Sequence, residues 1–254
     1  MRKLALITGG TSGIGAGIAR ELVHQFDLAL GYERNSERAK AVREDLSSLR
    51  PDARVETYAI KLSGYDSAHE LFTRSESDFG KAPSCLVHSA GRIRDGLFVD
   101  SDFQTHEELL REHLTSGMAL ARLCLPSMYS EKSGRMVFLS SISAHFSRRG
   151  QSAYAAAKLG LEGFAKTLAL EVAHRGITVN CVAPGLIESE MTAEILERLN
   201  KDPKAIREKV PAGFSGKPKD VGALVRFLCS EEARYITGAV IPVDGGQSLG
   251  DSRS

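Results

Sequence analysis

The sequence predicts an α/β fold: one domain, built on a doubly wound, Rossmann-like parallel sheet of about seven strands with helices on both faces. Three observations carry this. Short apolar, β-branched runs alternate with helical stretches of ten residues or more along nearly all of the 254-residue chain. A glycine-rich stretch, TGGTSGIG (8–15), joins the first such run to the first helical pattern. No repeat, linker or low-complexity segment breaks the alternation.

The elements follow in order. KLALIT (3–8) is the continuous apolar run that a strand buried on both faces requires. The glycine turn leads into a helix reaching about Gln25, and DLALGY (27–32) is the second strand. SERAKAVREDLSSL (36–49) has helical periodicity, with Ser36 placed as its N-cap. ARVETYAIKL (53–62) alternates as a strand; SAHELFTRSESDFG (67–80) is helical and stops at a glycine; SCLVHSAG (84–91) is a fourth strand entering a loop. A long helix covers about 104–129, with Pro126 near its end, and GRMVFLSS (134–141) is the fifth strand. Residues 151–176 form a second long helix closed by Gly176, and ITVNCVAPG (177–185) is the sixth strand with its exit turn. Helical pieces near 190–209 and 218–229 precede a last strand, GAVIPVDGG (238–246), and a polar, loose tail.

Charged residues make up 26% of the chain and the net charge is +1, so no global field draws in nucleic acid or an anionic membrane. No apolar run approaches the roughly 20 residues of a membrane span, and the N-terminal run is too short for a signal-peptide core. The expectation is a soluble cytoplasmic protein. Cys85, Cys124, Cys181 and Cys229 lie far apart among apolar residues, which predicts buried free thiols. His106 and His113 lack companions to complete a metal site, so no metal is expected.

In a doubly wound sheet, ligands bind at the carboxyl ends of the strands. Gly9, Gly13 and Gly15 occupy such an end, spaced Gly-x-x-x-Gly-x-Gly rather than G-x-G-x-x-G. Small residues there let a pyrophosphate approach the backbone at a helix N-terminus. YAAAK (154–158) puts a tyrosine and a lysine on one helix face. Such pairs also arise by chance. Here the intervening residues are small, and FLSS ends the fifth strand so that Ser141 faces the start of this helix. A free tyrosine has a pKa of about 10. A cation on the same face lowers it toward the range that general acid–base chemistry needs. Ser141 would hydrogen-bond a substrate carbonyl oxygen, Tyr154 would deliver the proton, and Lys158 would reach cofactor ribose hydroxyls as well.

These residues, with SAG (89–91), VAPG (182–185) and ITGAVIPVDGG (236–246), resemble the short-chain dehydrogenases/reductases over residues 3 to about 248. AGRIRDG (90–96) and EVAHRGITVNCVAPGLIESEMT (171–192) are most similar to the 3-oxoacyl-acyl-carrier-protein reductases of that family. The resemblance implies Ser141, Tyr154 and Lys158 as catalytic residues. It implies cofactor contacts from Gly9, Thr11, Ser12, Gly13, Ile14, Gly15, Leu62, Ser89, Ala90 and Gly91. Asn180, Pro184 and Gly185 would line the nicotinamide region, with Ile187 and Thr192 close to it. Residues 188–215 would be a mobile substrate lid. Family members are usually tetramers built on the long helices, so a homotetramer is expected, or a heteromer with a related reductase. The substrate implied is a β-keto thioester on an acyl carrier protein. Lys132, Arg175, Arg148 and Arg149 are candidates to steer that acidic partner, though each taken singly reads more readily as a solvated charge.

The chain departs from the family pattern at three places. His113, in EHL, stands where an asparagine holds a water that links the catalytic lysine to solvent. It either takes over that role, titrating near physiological pH, or merely packs. HSAG (88–91) replaces NNAG, and Lys61 replaces an aspartate. At the end of the second strand, GYERN puts Tyr32 where NAD-preferring members carry aspartate. Arg34, beside Asn35, is placed to pair with a 2′-phosphate, whereas Glu33 argues the other way. NADP(H) is therefore expected over NAD(H). The leading expectation is an NADP-dependent reductase of carrier-bound 3-oxoacyl groups. Two others stand beside it: an oxidoreductase of another small alcohol or ketone, and a cofactor-binding subunit with little turnover.

Overall fold

Seven parallel strands form one sheet in the order β3-β2-β1-β4-β5-β6-β7. The structure, a computed structural model, describes residues 2–200 and 203–249. The strands are β1 (Lys3–Thr8), β2 (Phe26–Tyr32), β3 (Val55–Ala59), β4 (Cys85–His88), β5 (Gly134–Leu139), β6 (Ile177–Pro184) and β7 (Val240–Val243). Helices α1 (Gly13–Leu22), α2 (Ser36–Leu49), α3 (Tyr65–Phe79), α4 (Phe103–Leu110), α5 (Ser116–Glu131) and α6 (Ser152–Val172) cross between them. After β6 come α7 (Ala193–Asn200), α8 (Pro203–Lys209) and α9 (Pro218–Leu228).

The two faces of β1 show why the sheet needs helices on both sides. Leu4 and Leu6 join the core under α3, α5 and α6, while Ala5 and Ile7 join the core under α1 and α9. The order reverses between β1 and β4, and their register pairs Thr8 with His88 at the carboxyl end. That reversal opens a crevice where a ligand enters.

The structure refines the sequence boundaries at instructive places. The long helix expected over 104–129 is broken by one π-helical turn, Arg111–Thr115, between α4 and α5. Ser116 Oγ donates to the Arg111 carbonyl at 2.8 Å and accepts from the Gly64 amide at 3.1 Å, which stabilises the wider turn. Such turns often mark functional sites. Pro126 lies inside α5. The N-cap of α2 is Asn35, not Ser36: Asn35 adopts a left-handed conformation and its Oδ1 accepts from the Arg38 amide at 2.9 Å. β7 is shorter than expected because Gly238, Gly245 and Gly246 have positive φ and leave the ladder. The lid segment forms a short 3-10 turn at Glu190–Thr192 followed by α7 and α8. Of the tail, Gln247–Leu249 forms a 3-10 turn and 250–254 lie outside the described residues.

All four cysteines are free and buried, with the Sγ atoms of Cys85 and Cys229 3.4 Å apart. Among the described residues no group of side chains could hold a metal ion, and no helix is long and apolar enough to cross a membrane.

Phe138 is fully buried in β5, its ring packed edge-on to His88 and to Phe164. Truncation removes contacts that link the sheet to α6. Phe138→Ala is expected to cost about 3–5 kcal/mol of unfolding free energy, read from the urea midpoint.

Candidate active site

A cleft of about 870 Å³ opens at the carboxyl ends of the strands, floored by the glycine turn and walled by Tyr154, Lys158 and the stretch Ser189–Met191. Its first wall is set by backbone contact. Gly9 has φ +65°, and a Cβ on Gly15 would stand 2.0 Å from the Gly9 carbonyl oxygen, so the turn closes only with glycine at both places. Ser12 precedes α1 in extended conformation with no side-chain cap bond. The first amides of the helix and its positive dipole end are thus left to an anion. Thr11, Ser12, Gly13, Ile14 and Gly15 all line the cleft, so these residues fit the pyrophosphate of a dinucleotide.

Tyr32, Glu33, Arg34 and Asn35 line the cleft past β2. The Arg34 side chain is 76% exposed, with Glu33 3.6 Å away. A second guanidinium stands beside it. Arg38 forks from α2 to Glu190 of the lid, with contacts of 2.6 and 3.0 Å, and also lines the cleft. The sequence did not single out Arg38, because it looks like one more charge on the exposed face of α2.

At the crevice itself, Thr8 Oγ1 accepts from the amides of Ser89 and Ala90 at 3.1 and 3.0 Å and donates to His88 Nδ1 at 3.0 Å. The other ring nitrogen, Nε2, donates to the His113 carbonyl at 3.1 Å. Every proton and lone pair of this chain is used, which fixes the His88 tautomer. Burial, assisted by the Lys158 charge, pushes the His88 pKa down to about 4. His88 is therefore a neutral strut between β4 and the π turn.

His113 is buried with its ring edge-on to Tyr154, centroids 5.2 Å apart. Its Nε2 donates to the Arg92 carbonyl at 2.9 Å, which leaves Nδ1 as a lone pair with no protein partner. The ring fills the space beside Gly91, where a Cβ would come within 1.9 Å of His113 Cε1. Burial and then Lys158 hold its pKa well below the usual histidine range. The expectation that His113 titrates near physiological pH is corrected: it stays neutral.

Lys158 is 4% exposed, and its Nζ donates to the Leu139 carbonyl at 2.6 Å. Burial pushes its pKa down to about 8. The ammonium lies 5.6 Å from the Tyr154 ring centroid. Burial raises the Tyr154 pKa, opposed by a hydrogen bond with Ser141 and by the charge of Arg148, while Asp95 raises it further. The expected acidification of the phenol by Lys158 is thus not found; desolvation wins. Ser141 Oγ accepts from the Ser143 amide at 3.1 Å and caps the 3-10 turn Ile142–Ala144.

Leu62, Ser89, Ala90, Gly91 and Pro184 line the cleft as the sequence implied. Asn180 does not. Its side chain donates to the Ile236 carbonyl and accepts from the Ala239 amide, tying β6 to the segment before β7. Gly185 packs against Asp244, Ile187 is buried in the core, and Thr192 Oγ1 donates to the Ile187 carbonyl; these three lie behind the lining. Lys132 and Arg175 precede β5 and β6, at the end of the sheet opposite the cleft of their own chain. Arg175 stacks on Tyr129 instead, 4.7 Å from its ring centroid. Lys61, where the pattern has aspartate, stands near Glu112.

A family model described as enoyl-(acyl carrier protein) reductase matches residues 9–248. The chain belongs to the short-chain dehydrogenase/reductase family. It is 37% identical over 254 residues to the 3-oxoacyl-acyl-carrier-protein reductase FabG of Aquifex aeolicus, covering 96% of each chain. It is 37% identical over 248 residues to FabG of Haemophilus influenzae, covering 97% of this chain and 98% of that one. Among solved structures, YwfH, an NADPH-dependent reductase involved in bacilysin biosynthesis, superposes with a TM-score of 0.89 at 25% identity, covering 97% of this chain and 98% of that one. As a member of this family the protein is an oxidoreductase.

The buried lysine makes a pH-dependent contribution whose sign is fixed. Its pKa falls from 10.5 to about 8 on folding, so between those values the unfolded chain binds more protons. Stability from this group therefore rises with pH through that window. The wild type is expected to gain on Lys158→Met as pH rises from about 8 to 10.5, measured as the difference between their urea midpoints.

Proposed function

We propose that the protein is an NADP-dependent reductase of 3-oxoacyl groups carried on an acyl carrier protein, working as a cytoplasmic homotetramer. The observation that carries this is the convergence of Tyr154, Ser141 and Lys158 beside a glycine turn shaped for a pyrophosphate. The name of the FabG relatives supports the substrate class. Arg148 and Arg149, in the loop before α6, suit an acidic partner. The subunit reading loses ground because Tyr154, Ser141 and Lys158 are all present, and the reading of another small alcohol or ketone loses ground to the name the FabG relatives share.

The nicotinamide supplies a hydride. Ser141 Oγ accepts from the Ser143 amide and its hydroxyl bonds the Tyr154 phenol; a bound substrate would take that proton at its carbonyl oxygen, where negative charge gathers. Tyr154, with its raised pKa, is protonated at neutral pH and holds the proton that the new alkoxide requires. As that proton leaves, the hydrogen bond from Ser141 and the charge of Arg148 favour the phenolate that forms. One Nζ proton is committed to Leu139; two remain for ribose hydroxyls and water. His113 Nδ1, an unpartnered acceptor near Lys158, holds that water in place of the family's asparagine. Arg34 and Arg38 favour a 2′-phosphate, with no acid at Tyr32 to repel it.

NADPH consumption with acetoacetyl thioester tests this reading. Tyr154→Phe is expected to lower kcat by about 10²–10⁴-fold with KM for NADPH unchanged; equal turnover would remove Tyr154 from the chemistry. The double variant Arg34→Ala/Arg38→Ala is expected to raise KM for NADPH by about 10-fold or more and leave that for NADH near its starting value. For His113, replacement by Asn should keep kcat within a few-fold, whereas Leu should cost about 10-fold or more. Equal rates in both variants would make His113 a packing residue.

A further inference from the structure

Tyr154 and Lys158 are followed on the same face of α6 by Glu162, one further turn on. Glu162 is 2% exposed, unusual for a carboxylate, and such burial is costly unless the group is fully paired. Both of its oxygens are engaged. Ser140 Oγ donates to Oε1 at 2.5 Å, and His145 Nε2 donates to Oε2 at 2.8 Å. The two donors bracket Ser141. Ser140 follows the last residue of β5, and His145 is the C-cap of the 3-10 turn that Ser141 begins. The Ser140 amide also donates to the Val182 carbonyl at 2.8 Å; beyond it the turn is held by local bonds, Ser143 N to Ser141 Oγ at 3.1 Å, Ala144 N to Ser141 O, and His145 N and Phe146 N to Ile142 O, the last three at 3.0 Å.

We infer that Glu162 is a positioning residue: it clamps residues 140–145 at both ends and so sets the place of Ser141 Oγ against Tyr154. Lys158 grips Leu139 and Glu162 grips Ser140 and His145, so two charged side chains one turn apart fasten the catalytic serine segment to the helix that carries the catalytic tyrosine. Nothing in the chemistry described above requires a carboxylate at this buried point; the bracketing of Ser141 does. The kinetic consequence rests on the reductase reading, whereas the clamp itself does not.

The test compares Glu162→Leu, which removes both bonds, with Glu162→Gln. The amide of the latter accepts from Ser140 through its oxygen and donates to a neutral His145 through its nitrogen. In the Leu variant, hydrogen exchange of the amides in 141–146 is expected to accelerate about 10-fold or more, with β1 amides unchanged, because a charged hydrogen-bond clamp is lost. With NADPH and acetoacetyl thioester, kcat is expected to fall about 10-fold or more while KM for NADPH stays within about 2-fold, and Gln restores both exchange and kcat. Should the Leu variant fail to fold, the double variant Ser140→Ala/His145→Ala is expected to reproduce the same pattern. Unchanged exchange in 141–146, accelerated exchange with unaltered kcat, or a Gln variant as impaired as Leu would each overturn the inference. A wild type that consumes no NADPH with the thioester would defeat the reductase reading instead, and the exchange comparison would still decide the clamp.

Discussion

A buried ammonium bonded to a strand-end carbonyl is the contact on which the site depends. Lys158 Nζ, 2.6 Å from the Leu139 oxygen, joins α6 to the end of β5 and so brings Tyr154 toward Ser141. It is also a buried charge that its neighbours feel. Its field adds to burial in keeping both His88 and His113 neutral. A neutral His113 offers a lone pair rather than a second cation beside the lysine. The arrangement is therefore electrostatically consistent: an ammonium paired through backbone oxygen, with neutral imidazoles beside it and the Glu162 carboxylate bonded separately one turn on.

The two histidines that break the family pattern belong to one device. His88 Nε2 donates to the carbonyl of His113, a carbonyl presented by the π turn. The His113 ring occupies the space left by Gly91, immediately after the segment that His88 begins. Seen as separate substitutions they suggest lost contacts. Linked through Thr8, they form a continuous hydrogen-bonded path from β1 to the π turn between α4 and α5, with the pairing at each step fixed by chemistry.

Much of this was legible in the sequence, because hydrophobic runs and glycines report directly on strands and turns. KLALIT and ITVNCVAPG read as buried strands because they are buried on both faces. The glycine turn and the pair Tyr154 and Lys158 read as a candidate site because local spacing, small neighbouring residues and nearby strand ends are all visible in the sequence. Properties that depend on distant partners were not legible. Asn180 sits in a motif near the cleft, yet its amide serves the backbone at Ile236 and Ala239, far along the chain. The π turn depends on Ser116 meeting Gly64, which no periodicity announces. The phenol of Tyr154 was expected to be acidified by its neighbour, but burial outweighs the Ser141 bond and the Arg148 charge that favour the phenolate, while Lys158 bonds a carbonyl instead. Arg38 and Glu162 escaped notice because a charge on a helix is ordinarily solvent-facing, and only the packing of the lid and of residues 140–145 reveals their partners.

The most direct measurement of the central claim is a titration of the Lys158 ammonium itself, followed by nitrogen-15 NMR of the lysine Nζ with assignment by the Lys158→Met variant. The account predicts a midpoint near 8, set by burial against a carbonyl partner. A midpoint near 10.5, the value of a solvated lysine, would mean that the ammonium is not held in the interior and would contradict the account.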